Sequence, residues 1–323
     1  MTSKERRKAP VFPRLVLLGL FTASVFSFLG TQLVWFSLFS HFQAYLALAW
    51  ICILALFRLM PAFPRSFWQP KHVTRAGIAM LLGHGILIAS LYFPVTPPEL
   101  ESPNEVDIIW FNIMFRNDAL RDLEKLIAED PPDILAFGEI GHNIEVELPG
   151  YTYQLRSPKH HLLLVSRLPL EHSKLVHVPS GGREQLSTRV AVGRRRFELG
   201  VVHMRQPIYP AHFAEFRVLN ETAKKGDDVI LAGDFNTTVW SSQFRDFVSD
   251  VELHHGREGR GIQNTWAPTF ARWAQLPIDH MLYRGSIELK KLEVMEWTGS
   301  DHAPVRGTFL IGGKLRRQIL GND

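Results

Sequence analysis

Apolar residues run without a single Asp, Glu, Lys or Arg for 43 residues between Arg14 and Arg58. One membrane span needs roughly 20 apolar residues, so this run holds two spans, near 15–36 and 44–57. The turn between them falls at Ser37–Gln43, where Ser, His and Gln interrupt the run. A weaker third run, near 76–93, carries Gly83, His84 and Gly85 and stops at Phe93-Pro94. The first run is too long for a cleaved secretory signal, and further spans follow it. His84 has no partner nearby in sequence and reads as a packed polar residue.

From about Glu105 the pattern changes. Val106–Asn112 reads as a strand ending on a polar Asn. Asn117 is a candidate N-cap, and Leu120, Leu123, Leu126 and Ile127 follow at helical spacing until Pro131-Pro132. Strands are predicted over 133–137, leading to Glu139, and over 162–165. A hairpin over 187–192 and 197–202 turns at Gly193-Arg194 and delivers His203. A helix over 210–225 ends at Gly226. The strand 229–232 delivers Asp234 and Asn236, a short helix covers 241–249, and strands follow near 277–283 and 305–311. Many strands with few, separated helices predict a layered sheet core flanked by helices. The pattern leaves the strand order open.

Charge divides the chain at the same place. Residues 1–98 carry nine Lys/Arg and one Asp/Glu, leaving 27 Lys/Arg against 31 Asp/Glu for the remainder. The basic balance belongs to the N-terminal third and does not argue for a nucleic-acid surface on the rest. The lone cysteine, Cys52, excludes an intrachain disulfide framework. Basic residues flank the first span (Lys4, Arg6, Arg7, Lys8, Arg14) and fill the second loop (Arg58, Arg65, Lys71, Arg75), while the first loop has none. Positive loops stay cytoplasmic. The expected arrangement is a multi-pass cell-membrane protein with a cytoplasmic N-terminus and an extracytoplasmic C-terminal domain. The expected divisions are 1–98 for the membrane domain, 99–312 for the catalytic domain and 313–323 for a tail.

Polar residues collect at strand ends: Asn112, Glu139, His203, Asp234, Asn236, Asp279, Asp301 and His302. Carboxylates and an amide oxygen are hard donors that suit Mg²⁺ or Mn²⁺ better than Zn²⁺. An Asp–His pair supplies a base near neutral pH, and a second His with an Asn donates hydrogen bonds to phosphoryl oxygens. Taken singly, an Asp or Asn after a strand is usually a turn residue. Together these groups describe hydrolysis of a phosphate ester by water, and their order and spacing are much rarer by chance than any one of them.

Seven stretches carry a resemblance to a known family: Trp110-Phe111-Asn112, Phe137-Gly138-Glu139, Ser166–Leu170, Val202-His203, Gly233-Asp234-Phe235-Asn236, Ile278-Asp279-His280 and Gly299–Val305. From about Val106 to Leu310 the chain resembles the endonuclease/exonuclease/phosphatase superfamily of DNase I-like nucleases, repair exonucleases, sphingomyelinases and inositol polyphosphate 5-phosphatases. Thr265–Pro268 and Trp240–Phe244 are similar to its bacterial membrane-anchored branch. The resemblance implies a four-layer α/β sandwich preceded by about three transmembrane helices. It implies Mg²⁺ (or Mn²⁺) at Glu139, with Asn112 beside it and Asp301 completing the site. It makes His302 the catalytic histidine, oriented by Asp279. Asp234 would position or deprotonate the water, Asn236 would orient Asp234 and the phosphate, and His203 would contact the phosphate or the leaving oxygen. The base stays open between Asp234 and His302.

The chain departs from the pattern at Met114, at Lys159-His160-His161 and at Met204–Pro207, all of which bear on substrate choice. His160 and His161 read as exposed loop residues. Arg183, Arg189 and Arg194–Arg196, and separately Arg257 and Arg260, form basic clusters that either hold phosphate or are solvated. The expected partner is a phosphate ester: nucleic acid, a lipid head group or a small molecule.

Overall fold

The computed structural model describes residues 11–59, 70–146, 148–179, 181–224 and 226–314. The chain forms two compact units, Met1–Leu91 with Trp240–Ser242, and Tyr92–Val239 with Gln243–Asp323. Lys4, Arg6, Arg7, Lys8 and Arg65, on which the orientation rests, lie outside the described residues, as does the expected tail beyond Lys314.

The first unit is helical: α1 (Val11–Gly30), α2 (Ser37–Ser40), α3 (Gln43–Leu59) and α4 (Pro70–Ala89). Among the described residues, Phe12–Gly30 and Lys71–Tyr92 are long and apolar enough to cross a membrane. Val34–Ser40 and Gln43–Leu59, bent by 59° at their break, make a third if read as one span. The first helix ends at Gly30, short of the expected 36, and α4 begins at Pro70, ahead of the expected 76. A proline is readily placed in the first turn of a helix, where its missing N–H has no intrahelical partner. The unit is polar inside and apolar outside. His84 is fully buried, its Nδ1 2.6 Å from Gln43 Oε1 and its Nε2 3.1 Å from Ser24 Oγ. Trp50 Nε1 donates to the same Ser24 Oγ at 2.9 Å, while Leu48, Ile51, Leu82 and Ile86 face outward. Polar side chains bridging helices beneath an apolar exterior are what a lipid-facing bundle requires.

The second unit runs β1 (Leu100–Asn112), α5 (Asn117–Leu126), β2 (Ile134–Gly138), β3 (Tyr153–Ser157), β4 (Leu162–Ser166), β5 (Leu170–Val176), β6 (Gln185–Val192), β7 (Arg195–His203), α6 (Ala211–Ala223), β8 (Val229–Asp234), α7 (Ser242–Asp250), β9 (His254–His255), β10 (Asp279–Arg284), β11 (Ile287–Val294) and β12 (Val305–Lys314). Asn117 is the first helical residue of α5 and caps nothing. The N-cap position is Arg116, which makes no side-chain cap bond and pairs instead with Asp118 at 2.6 Å.

Two six-stranded sheets form, ordered β11-β12-β1-β2-β4-β3 and β5-β6-β7-β8-β10-β9. Each is mixed: β1 with β2 and β7 with β8 are parallel, and the other pairs antiparallel. Alternation along β1 sorts its residues. Val106, Ile108 and Trp110 face the second sheet and pack with Leu199, Val201, Ile230, Ala232 and Met281. Ile109 and Phe111 face the other way, onto Ala119, Leu120 and Leu123 of α5. On the outer face of the second sheet, Phe216 of α6 and Phe247 of α7 meet at 5.5 Å, and Phe216 lies 6.3 Å from Phe235. The layers are therefore helix, sheet, sheet, helix, held by side chains that each contribute about 1.5–3 kcal/mol on burial.

Register carries the polar residues to one edge. His203 and Asp279 both pair with Asp234, and Asn112 pairs with Gly138. Two glycines make this possible. A Cβ on Gly233 would stand 2.0 Å from the Val202 carbonyl oxygen, and one on Gly138 would stand 2.7 Å from the Trp110 ring. We expect Gly233→Ala to destabilise the protein by about 1–3 kcal/mol or more through overpacking. Chemical denaturation followed by tryptophan fluorescence checks this, and an unchanged midpoint would contradict it.

Candidate active site

All eight polar residues read from the sequence meet at this edge. At its centre Asp279, 1 % exposed, accepts from Trp110 Nε1 at 2.7 Å through Oδ1 and from His302 Nδ1 at 2.8 Å through Oδ2. Its backbone N–H donates to Thr265 Oγ1 at 3.0 Å, which fixes the start of β10. With Nδ1 committed, His302 presents Nε2 toward Asp234 Oδ2 (3.8 Å) and the Asn112 amide (3.4 Å). Ser300 Oγ ties the segment down, donating to Asn112 O at 2.7 Å and accepting from His302 N at 3.1 Å.

Asp234 is held from its other side. Asn236 donates to it twice, from the backbone at 2.8 Å and from Nδ2 at 3.1 Å. Asn236 adopts a left-handed φ of 51°, a conformation asparagine tolerates. Glu139 adopts the same φ of 51°, where a glutamate is uncommon. Its carbonyl accepts Phe115 N at 2.8 Å, and its Oε1 reaches within 3.4 Å of His203 Nε2.

Burial and charge set the protonation states. For His302, burial disfavours the imidazolium, but the charge and hydrogen bond of Asp279, with Asp234 and Asp301, prevail and raise its pKa to about 9. Asp234 is pushed up to about 8, first by burial and then by the charge of Asp279. Burial likewise raises Glu139, with His302 and Arg183 opposing. His203 is held neutral by burial and by Arg183, whose Nη1 donates to its Nε2.

Two donor sets compete as a metal site. Asp234, Asp279 and His302 have ligand atoms within 4.8 Å of one another. Both Asp279 oxygens and His302 Nδ1 are already spent on hydrogen bonds, so this set reads as a carboxylate–imidazolium pair that orients His302. Glu139, hydrogen-bonded to Asn112 and close enough to Asp301 to feel its charge, forms the second set. Asp301 Oδ2 accepts Trp266 Nε1 at 3.0 Å, while its Oδ1 has only a 3.5 Å approach from Ser300 Oγ. Asn112 Oδ1 accepts Met114 N at 3.1 Å and keeps one lone pair; with the two carboxylates it makes a set of hard oxygens that fits a Mg²⁺- or Mn²⁺-type ion.

The basic clusters separate on inspection. Arg183 lies in the site, against His203. Arg189 pairs with Glu198 at 2.7 Å, and Arg196 with Glu171 at 3.1 Å. Arg257 is buried and donates to His280 Nδ1 (2.8 Å) and to the Asp279 carbonyl (2.9 Å), a structural role. His160 and His161, expected to be exposed, are half-buried at the mouth of the site. His160 lies 3.2 Å from Glu184, and the His161 ring lies 4.8 Å from that of Phe115. Both lie near enough to His203 to disfavour its charged form. Trp110 and Thr265 stood within quoted motifs, yet their bonds to Asp279 were not foreseen. The one available signal was period two, which puts Trp110 on the same face of β1 as Asn112.

Residues 109–302, more than half of the chain, match the family model described as Endonuclease/Exonuclease/phosphatase family. Among curated proteins none matches. Solved structures share the fold. D. rerio TDP2 complexed with single-strand DNA product has 16% identity and a TM-score of 0.52, covering 64% of this chain and 99% of that one. The 3′ phosphatase NExo from Neisseria, bound to a product DNA hairpin, has 21% identity and a TM-score of 0.50, covering 62% and 98%. The human Nocturnin catalytic domain with bound sulfate has 16% identity and a TM-score of 0.51, covering 66% and 99%.

Asp279→Asn removes the charge that opposes burial at His302. In metal-free protein we expect the ring to fall from about 9 to below its ordinary 6.5, read by NMR titration of the imidazole. A ring that still titrates near its original value would show that Asp279 does not set it.

Proposed function

The chain belongs to the Endonuclease/Exonuclease/phosphatase family, and from that premise we propose that it is a membrane-anchored, divalent-metal-dependent phosphoric ester hydrolase cleaving phosphodiester bonds with an activated water. The observation that carries the reading is the buried chain Trp110–Asp279–His302, which ends opposite Asp234 and beside the oxygen donors of Glu139. The DNA products and the sulfate held by the structural neighbours support a phosphate-ester substrate.

Asp234 takes the proton of the attacking water. Its raised pKa suits a general base near neutral pH, and the two bonds from Asn236 hold its carboxylate in place. His302 remains an imidazolium and donates Nε2–H to a non-bridging phosphoryl oxygen, where charge grows in the transition state. Arg183 and neutral His203 lie beside Glu139, suited to the phosphoryl oxygens and the leaving oxygen. Glu139, Asn112 and Asp301 would hold the cation. When bound, a Mg²⁺ or Mn²⁺ ion neutralises charge on the phosphoryl and leaving oxygens.

The apolar helices and the positive loops support a cell-membrane location with the N-terminus cytoplasmic and the catalytic unit on the extracytoplasmic side.

Purified full-length protein is expected to hydrolyse bis-p-nitrophenyl phosphate with Mg²⁺ or Mn²⁺ and to stop in chelator. His302→Ala should lower kcat by about 10²–10⁴-fold, and Glu139→Ala should abolish the metal dependence. Full activity in both folded variants would remove the assignment.

A further inference from the structure

The catalytic edge is ringed by exposed apolar side chains. Phe270 is 92% exposed and Trp273 79%, on the loop between Trp266 and Asp279. That loop is fastened to the site: Ala267 N donates to Asp301 O at 3.0 Å, and Arg272 Nη2 donates to Ser300 O at 2.9 Å. On the other side, Ile208 is 62% exposed and Tyr209 47%, on the loop that leaves His203. That loop too is anchored, since Met204 O accepts Asn236 Nδ2 at 2.8 Å. Phe115, half exposed, follows Asn112 and is bonded to the Glu139 carbonyl. Single exposed apolar residues are ordinary, but several around one mouth mark an interaction surface.

Charge in these loops is one-sided. Between Trp266 and Asp279 the only charged side chain is Arg272, and from Met204 to Ala214 there is no acid and Arg205 is the sole arginine or lysine. This occurs on a part of the chain where acids outnumber bases. Both arginines lie over aromatic rings, Arg272 over Trp297 at 5.1 Å and Arg205 over Tyr209 at 5.8 Å. Aromatic rings beside cations, on loop segments without carboxylates of their own, match the headgroup zone of a bilayer; Glu215, the acid that accepts Arg205 N at 2.7 Å, is buried. A nucleic acid strand calls instead for a basic track along its backbone, and here Arg189 and Arg196 are already paired with glutamates.

We propose that the apolar rim formed by Phe270, Trp273, Ile208 and Tyr209 docks on a phospholipid bilayer, and that the substrate is a phosphate ester carried by a membrane lipid. This rests on the hydrolase reading above and names its substrate class. The rim seats in the headgroup layer, and the lipid phosphate reaches Asp234 and His302 without leaving the membrane.

The test uses full-length protein in vesicles of phosphatidylcholine and phosphatidylglycerol whose acyl chains carry bromine. The fluorescence difference between wild type and Trp273→Phe isolates the signal of Trp273, which is expected to be quenched. In unbrominated vesicles, Phe270→Ser/Trp273→Ser should lower phosphate-ester release from the vesicle lipids by about tenfold or more, with turnover of bis-p-nitrophenyl phosphate unchanged. No quenching of Trp273 overturns the docking. An equal loss on both substrates, or a loss confined to a single-stranded oligonucleotide, overturns the lipid assignment, the latter making the rim a base-stacking surface. If wild type turns over no soluble diester, the hydrolase reading fails, while quenching still reports on docking.

Discussion

A buried carboxylate with every oxygen committed lies at the centre of this protein. Asp279 opens β10 at a position with almost no solvent access; an indole and an imidazole satisfy its carboxylate, while its backbone N–H donates to the Thr265 hydroxyl. Removing a carboxylate from water costs several kcal/mol unless opposite charge and hydrogen bonds replace the lost hydration. The register makes the demand greater, because Asp279 pairs directly with Asp234, a second buried carboxylate. The His302 imidazolium relieves that repulsion, and in the proposed mechanism the same ion is the donor to a phosphoryl oxygen.

The backbone serves this arrangement. Trp110 reaches Asp279 across the gap between the two sheets because Gly138 leaves room for its ring, and Asp234 lies beside His203 because Gly233 lets β7 and β8 approach. These glycines each precede an acidic residue of the site, which gives Phe137-Gly138-Glu139 and Gly233-Asp234-Phe235-Asn236 a packing rationale. The helical unit follows a different logic, with His84, Gln43 and Ser24 joined inside and aliphatic side chains outside.

Much of this was legible in sequence where burial writes a strong pattern. The strands ending at Asn112, His203 and Asp234 finish in apolar runs (108–111, 199–202 and 229–233), and their polar termini stand out. The strands that went unread carry weaker signals. In Leu170–Val176 and Ile287–Val294 charged residues sit on solvent-facing positions, and Tyr153–Ser157 lies at the edge of its sheet. The site was legible as a set of residues but not as a geometry. Nothing local to Trp110 announces a partner 169 positions away. Arg183 looked like one of several surface arginines, and only tertiary placement separates it from Arg189 and Arg257. His160 and His161 lie in a loop, as the sequence indicates, but read as exposed because hydrophobic pattern is silent about which loops fold back over a site.

The central claim is that Asp279 holds and charges His302 and leaves the cation to Glu139. Anomalous diffraction from crystals soaked in Mn²⁺ tests it most directly. The account expects the manganese peak at Glu139, Asn112 and Asp301. A peak among Asp234, Asp279 and His302 would contradict it.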